Sequence, residues 1–136
     1  MARWLIKGDP ADYGAADLER DKSTAWTGVK NALAQRHLRE MKRGDAVLFY
    51  HTGDEKAVVA TAKVERAAAS ATDASGEEES TAVRFAFVRW LGRPVGLAEI
   101  KADPTFAEFA LVRIGRLSVM PVTEPQWQRI LELSGR

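Results

Sequence analysis

One stretch of this chain carries the clearest folding signal: DAVLFYHTGDEKAVVATAKV, residues 45–64. Residues 46–50 form an apolar run that is typical of a buried strand, and residues 57–64 return with the same character. Between them, residues 52–55 contain a Gly and an Asp, which favour a tight turn. The sequence therefore predicts a β-hairpin in this region.

Shorter elements flank the hairpin on both sides. Residues 3–7 and 82–90 are predicted strands, the latter because its apolar side chains alternate. A helix is predicted over residues 30–41, which Gly44 follows as a stop, and a last strand over 117–122. Thr123 and Gln126 have the spacing of a capping box, which predicts a final helix. Short strands interrupted by short helices indicate an α+β fold, a mixed β-barrel with peripheral short helices.

Several connecting segments are predicted to lack regular structure. Residues 21–28 are expected to form a loop that carries Trp26, and residues 66–81 a mobile loop rich in Ala, Ser and Glu. Residues 111–115 are expected to form an irregular connector. Pro94 is expected to end the strand before it, because proline has no N–H to donate to a sheet.

The composition is typical of a soluble globular protein. The chain has 136 residues, of which 46% are hydrophobic and 29% charged, so residues 1–136 are predicted to form a single domain. It has no cysteine, and its two histidines are not at metal-ligand spacing, so no disulfide and no metal site is expected. No apolar stretch suits a membrane span or a signal peptide, which predicts a cytoplasmic protein without a membrane partner.

The positive charge is small and unevenly distributed. The net charge of +1 is low for a protein that holds long nucleic acid by its phosphates. Three basic residues nevertheless lie off the apolar stripe of the helix predicted at 30–41: Lys30, Arg36 and Arg39. They favour contact with the phosphates of a short nucleic acid or a single nucleotide, although such runs are usually only solvated faces.

The segment before that helix, Ala25-Trp26-Thr27-Gly28-Val29-Lys30-Asn31, is suited to a flat ligand that forms hydrogen bonds. Trp26 offers a π-face on which a base can stack, and Asn31 offers a donor and an acceptor. Gly28 allows the backbone to approach a ligand closely. The alternative is a buried Trp ahead of a helix, the interpretation that we apply to Trp4, Trp90 and Trp127.

Other polar or aromatic residues, namely Tyr50, His51 and Ser118, lie near strand ends, where loops converge at the mouth of a barrel. His51 is a candidate general base because imidazole titrates near neutrality, but no nucleophile or carboxylate stands at motif spacing to it. Asp9 and Asp12 are interpreted as turn and capping residues. We find no phosphate-binding glycine loop and no nucleophile elbow, so neither a cofactor nor a catalytic residue is expected.

Several ordered blocks of this sequence resemble one known family. They include Trp4-Leu5-Ile6-Lys7, Trp26-Thr27-Gly28-Val29-Lys30-Asn31, Phe49-Tyr50-His51, Ala102-Asp103-Pro104 and Arg116-Leu117-Ser118-Val119-Met120-Pro121-Val122. Together they are similar to the EVE domain family, part of the PUA-like superfamily that also includes YTH readers. The match runs over nearly the whole chain. The chain departs from the family pattern at Ala32 and Leu33, where larger polar or aromatic residues are common.

The resemblance implies a PUA-like barrel that reads a modified base, such as a methylated or hydroxymethylated cytosine, in DNA or RNA. The pocket positions that it implies are Lys7, Trp26, Gly28, Val29, Asn31, Tyr50, His51, Leu117 and Ser118. It implies no catalytic residue and no cofactor. Two alternatives are an enzyme that acts on a small nucleoside or nucleotide, with His51 as acid–base, and a protein-interaction module with a degenerate pocket.

Overall fold

The computed structural model of the protein describes residues 1–27, 29–67, 69–72 and 78–135. The predicted hairpin is confirmed, since Ala46–His51 pairs antiparallel with Ala57–Arg66. The strands, in chain order, are β1 (Arg3–Gly8), β2 (Ser23–Ala25), β3 (Ala46–His51), β4 (Ala57–Arg66), β5 (Ala69–Thr72), β6 (Glu78–Thr81), β7 (Arg84–Gly96) and β8 (Val119–Pro121).

The main sheet has the strand order β2-β7-β4-β3-β1-β8. β1 runs parallel to β3, and the other neighbouring strands pair antiparallel, so the sheet is mixed. It curls into a half-barrel with short helices around it, which confirms the predicted α+β, PUA-like fold. β5 and β6 form a separate antiparallel ribbon.

The helices are α1 (Ala15–Asp21), α2 (Ala32–Glu40), α3 (Leu97–Ala102), α4 (Ala110–Arg113) and α5 (Glu124–Leu133). The capping box predicted for α5 is confirmed, since Gln126 N–H donates to Thr123 Oγ1 at 3.3 Å and Thr123 N–H donates to Gln126 Oε1 at 3.0 Å. α2 begins two residues later than predicted, at Ala32. In the part of the chain that the structure describes, no helix is long and apolar enough to cross a membrane.

The core is filled by aromatic and aliphatic side chains from the curled sheet and its helices. Phe49 and Phe85 come from the sheet and are fully buried. One buried carboxylate organises the start of the chain: Asp45 Oδ2 accepts from Trp4 Nε1 and from Lys42 N–H, both at 3.0 Å, and Oδ1 accepts from Ala2 N–H at 3.2 Å. Since unpaired buried donors are costly, Asp45 ties β1 to the start of β3.

The prediction that Pro94 ends the strand that begins at residue 82 is wrong, because β7 continues to Gly96. Residues 91–94 bulge opposite Val59, between the pairs Ala60–Trp90 and Val58–Val95. A proline is tolerated at such a bulge since its missing N–H breaks no ladder bond. Trp90 is 40% exposed, so the prediction that Trp90 lies in the core is wrong as well.

Three segments predicted as irregular contain regular structure. The loop at 21–28 includes β2, which pairs with the edge of β7. The loop at 66–81 includes β5 and β6, while residues 68 and 73–77 lie outside the described residues. The connector at 111–115 overlaps α4. β2 depends on a partner distant in sequence, and α4 is only four residues long, so local composition reveals neither of them.

Candidate functional site

A cleft opens where the end of β1 meets β2 and the segment that leads into α2. Its volume is ≈490 Å³, within the range of roughly 300–1,000 Å³ that small-molecule sites occupy. We call it the Trp26 cleft, because the half-buried indole of Trp26 forms one wall. Thr24, Thr27 and Ser118 also line it, so the cleft combines an aromatic residue with hydroxyl-bearing ones.

Trp26 is held in place by a backbone hydrogen bond and by three aromatic rings. Its backbone N–H donates to Val83 O at 2.8 Å, where β2 ends beside β7. Three rings meet the indole edge to face: Tyr13 at 6.3 Å and 78°, Phe49 at 5.7 Å and 88°, and Phe85 at 5.8 Å and 78° between centroids and planes. Such contacts fix the plane of the ring. The indole is therefore oriented before any ligand arrives.

Tyr13, which also lines the cleft, is itself anchored. Its hydroxyl donates to Asp21 Oδ2 at 2.9 Å, across α1. Burial, together with this hydrogen bond, raises the pKa of Tyr13 above its ordinary value. The phenol consequently stays protonated at neutral pH and contributes a neutral wall.

The turn after β1 shapes the opposite edge. A Cβ on Gly8 would lie 2.9 Å from two ring carbons of Phe49 and 2.9 Å from Tyr13 O. The backbone at Gly8 is therefore too close to these atoms for a side chain to fit. Asp9 confirms its predicted turn role: its carbonyl accepts from the N–H groups of Asp12 and Tyr13, at 2.9 and 2.8 Å. Asp9 and Asp12 both line the cleft, and Asp9 Oδ1 accepts from Ala11 N–H within the turn at 2.9 Å.

The last wall is set by the start of α2. Asn31 is the N-cap, and its Oδ1 accepts from Ala34 N–H at 3.0 Å. Gln35 Nε2 donates to Val29 O at 2.7 Å, which holds Val29 against the helix. The apolar side chain of Val29 thereby lines the cleft, while Asn31 supports the segment from outside it.

The formal charges on the cleft lining balance. The lining includes two lysines, Lys7 and Lys30, and two aspartates, Asp9 and Asp12. Lys7 is the most constrained of the four, because its Nζ donates to Gly115 O at 2.8 Å and lies 5.8 Å from the Tyr50 ring centroid. Burial lowers the pKa of Lys7 below its ordinary value. The cleft thus offers donors and acceptors to a ligand without strong net charge.

A second cavity of ≈230 Å³ lies on the far side of Lys7, which lines both. We call it the lysine cavity, after the lining side chains of Lys7, Lys56 and Lys101. Tyr50 lines this cavity and not the Trp26 cleft. Burial raises the pKa of Tyr50, so its hydroxyl is neutral and able to donate a hydrogen bond at neutral pH.

Known proteins are similar to this chain in both sequence and fold. The family model for the EVE domain matches residues 2–133. The chain belongs to the EVE domain family. Zebrafish thymocyte nuclear protein 1 is 27% identical over 97% of this chain and 71% of the relative.

Two solved structures extend this comparison. A Rhodopseudomonas palustris protein is 36% identical with a TM-score of 0.89, over 99% of this chain and 94% of that one. Human thymocyte nuclear protein 1, solved in complex with DNA containing 5-methylcytosine, is 25% identical with a TM-score of 0.87, over 100% and 99% of the two chains.

In this EVE domain, the Trp26 cleft brings together part of the set that the sequence proposed. Lys7, Trp26, Val29, Lys30 and Ser118 all line it. Ser118 is placed there because its carbonyl accepts from Lys7 N–H at 2.9 Å, beside β1. Gly28 lies outside the described residues.

The remaining proposed residues lie elsewhere in the EVE domain. His51 is buried, and its Nε2 accepts from Ala15 N–H at 2.9 Å while Nδ1 contacts Glu55 Oε1 at 2.5 Å. Leu117 is only 2% exposed and packs in the core. Arg36 and Arg39 are exposed on α2 away from the cleft lining, and Arg36 pairs with Glu40 at 3.2 Å.

Sequence reasoning missed Tyr13, Thr24 and Thr27 as lining residues, and assigned Asp9 and Asp12 to the turn alone. The Asp9-Pro10 pair directly after a strand signals a turn at a sheet edge, which is where such a cleft forms. No local pattern identifies Thr24, because its position depends on the pairing of β2 with β7.

Proposed function

We propose that this EVE domain binds nucleic acid that carries a modified cytosine, and that the base occupies the Trp26 cleft. The observation that carries this proposal is the orientation of Trp26, whose indole is half exposed yet held by three rings. Human thymocyte nuclear protein 1, which shares this fold over nearly the whole chain, was solved with DNA containing 5-methylcytosine.

The lining of the cleft matches the hydrogen-bonding edge of cytosine. Cytosine donates from its N4 amino group, and carboxylates are the usual acceptors for that donor. Asp9 and Asp12 supply carboxylates, whereas Lys30, Ser118 and Thr27 supply donors for the carbonyl oxygen of the base. Val29 offers an apolar contact for a methyl group on the ring. Trp26 would stack on the face of the base.

The base must leave its helix to enter such a cleft. Extruding a nucleotide from a duplex costs a few kcal/mol in lost stacking and pairing. Stacking on an aromatic side chain returns roughly 1–3 kcal/mol, and hydrogen bonds to the pairing edge supply the rest. The immobilised indole favours this exchange, because no ring entropy is lost when the base arrives.

Binding rather than catalysis is the role that we propose. Both ring nitrogens of His51, the one candidate acid–base that the sequence offered, are already engaged with Ala15 and Glu55. A general base needs a free nitrogen within reach of the substrate proton. This engagement supports a structural role for His51, at the start of α1.

The test is a comparison of oligonucleotides of equal length and sequence, with and without one 5-methylcytosine. We expect tighter binding of the methylated DNA, measured by fluorescence anisotropy. An RNA of the same sequence, with and without the methyl group, decides which polymer is read. Equal affinity for methylated and unmodified strands in both polymers would refute the proposal.

A further inference from the structure

The lysine cavity differs from the Trp26 cleft in its charge. The side chains of Lys7, Lys56 and Lys101 are the charged groups on its described lining, and all three are cationic. In the Trp26 cleft two lysines are balanced by two aspartates. Two adjoining cavities that share Lys7 therefore offer a neutral polar environment on one side and a cationic one on the other.

The lysine cavity also presents neutral donors. Tyr50 and Thr52 line the cavity, and the Tyr50 phenol is protonated at neutral pH, as burial raises its pKa further above neutrality. Ammonium and hydroxyl donors around a space of ≈230 Å³ are the groups that bind a phosphate oxygen. Lys7 Nζ donates to Gly115 O and lies near the Tyr50 ring, and both of these residues line the lysine cavity.

The backbone fixes where Lys56 stands. Lys56 has a φ of 45°, in the left-handed region, and its carbonyl accepts from Leu97 N–H at 2.8 Å. This bond joins the turn after β3 to the start of α3, the helix that carries Lys101. Lys56 and Lys101 consequently belong to one rigid junction rather than to separate mobile loops.

The cationic surface is short. Beyond Lys56 and Lys101 lies a further cavity of ≈380 Å³ that Asp54 and Glu55 also line. Their carboxylates would repel a continuing strand of phosphates, and the net charge of the chain is only +1. The arrangement suits one phosphate, not a long tract of backbone.

We propose that the lysine cavity holds the phosphate that flanks the base bound in the Trp26 cleft. This inference rests on the proposed function, because it takes the base to lie on the other side of Lys7. A base and its phosphate are joined through one sugar, and the two cavities are neighbours that share Lys7 as a lining residue. Phosphate recognition then falls on Lys56 and Lys101 rather than on the α2 residues Arg36 and Arg39.

The experiment compares two double variants that remove the same charge. Lys56→Gln with Lys101→Gln alters the lysine cavity. Lys22→Gln with Lys63→Gln is the matched control, since Lys22 also has a positive φ, of 70°, and both control lysines are exposed and away from the cavities. Binding of a short duplex, methylated or unmodified, is measured by fluorescence anisotropy over a range of KCl concentrations.

We expect the Lys56/Lys101 variant to bind both duplexes about tenfold more weakly than the control, as for one lost charge-assisted contact. The slope of log K against log salt should fall by about 0.9, the value for one phosphate on a duplex. The preference for the methylated duplex should persist. The wild type should likewise bind 5-methyldeoxycytidine 3′- or 5′-monophosphate more tightly than it binds the free nucleoside. The Lys56/Lys101 variant should bind the monophosphate and the nucleoside with equal affinity.

The outcomes separate this inference from the proposed function. If the Lys56/Lys101 variant matches the control in affinity and slope while methylated DNA is still preferred, the phosphate site is wrong and base binding stands. If methylation makes no difference but the slope still falls, the cavity binds phosphate and base recognition is wrong. If neither the DNA duplexes nor an RNA of the same sequence binds, methylated or unmodified, both proposals are overturned.

Discussion

Replacement of Trp26 by Ala removes the face on which the base is proposed to stack. Loss of one stacking aromatic costs roughly 1–3 kcal/mol per base, which is about a 5- to 150-fold weaker affinity. Asp9 and Asp12, which also line the cleft, belong to the turn after β1 and remain in place. We therefore expect weaker binding of every oligonucleotide that enters the cleft, with the largest loss for the methylated one.

The same substitution also lowers the stability of the fold. Trp26 makes edge-to-face contacts with Tyr13, Phe49 and Phe85, and each such pair contributes about 0.5–1.5 kcal/mol beyond area burial. Because the indole is only half buried, we expect a loss of about 3 kcal/mol in the free energy of unfolding, at the low end for Trp-to-Ala changes. Urea unfolding measures this loss and shows how much of the variant is folded during the binding assay.

Trp90→Ala is the matched control for this experiment. Trp90 is 40% exposed, stands on β7 outside the cleft, and donates from Nε1 to Glu19 Oε2 at 2.8 Å. Its removal should leave the affinity for methylated DNA within twofold of the wild type. Unchanged affinity in a folded Trp26→Ala variant, or an equal loss in the Trp90→Ala control, would refute the assignment of Trp26 as the stacking wall.

Three further predictions concern the framework of the site. Asp45→Ala should lower the free energy of unfolding by about 3 kcal/mol in urea titrations, because two backbone N–H groups and one indole N–H lose their acceptor. A loss below about 1 kcal/mol would contradict this account. His51→Leu should cost about 2 kcal/mol by the same assay, since the buried Ala15 N–H loses its acceptor, while the folded variant keeps its preference for methylated DNA; loss of that preference would contradict a structural role. Hydrogen bonds from the Arg93 guanidinium and a backbone N–H lower the pKa of Glu99 from 4.5 to about 2, so its contribution is present above pH 4.5 and is lost as the pH falls toward 2. Glu99→Gln should therefore cost about 1 kcal/mol at pH 7, a figure reduced for solvent exposure, and less at pH 3; an equal cost at both values would show that the lowered pKa does not contribute.

Local patterns predicted much of the secondary structure. The hairpin of β3 and β4 was evident from two apolar runs around a Gly-containing turn, and the α5 capping box from the spacing of Thr123 and Gln126. These signals depend on interactions within a few residues, which the sequence displays directly. Where a segment depends on a distant partner, as β2 does on β7, the same reasoning predicted a loop.

The candidate site shows the same division. The segment around Trp26 could be singled out because a Trp, a Gly and an Asn stand close together, and Trp26 does line a cleft. The position of Asn31 could not be settled in this way. A helix start needs an acceptor for its free N–H groups, and in the folded chain Asn31 meets that need for α2.

The sequence by itself therefore determined the local elements, the family resemblance and the segment that carries the aromatic wall. Only the tertiary structure decided that Trp26 faces a cleft with Lys7 and Ser118, that Tyr50 lies in a separate cavity, and that β7 runs through Pro94. The physical reason is the distance along the sequence over which each kind of interaction acts. Capping and periodicity act over a few residues, whereas strand register, ring packing and cavity walls are fixed by long-range contacts that the whole sheet must satisfy together.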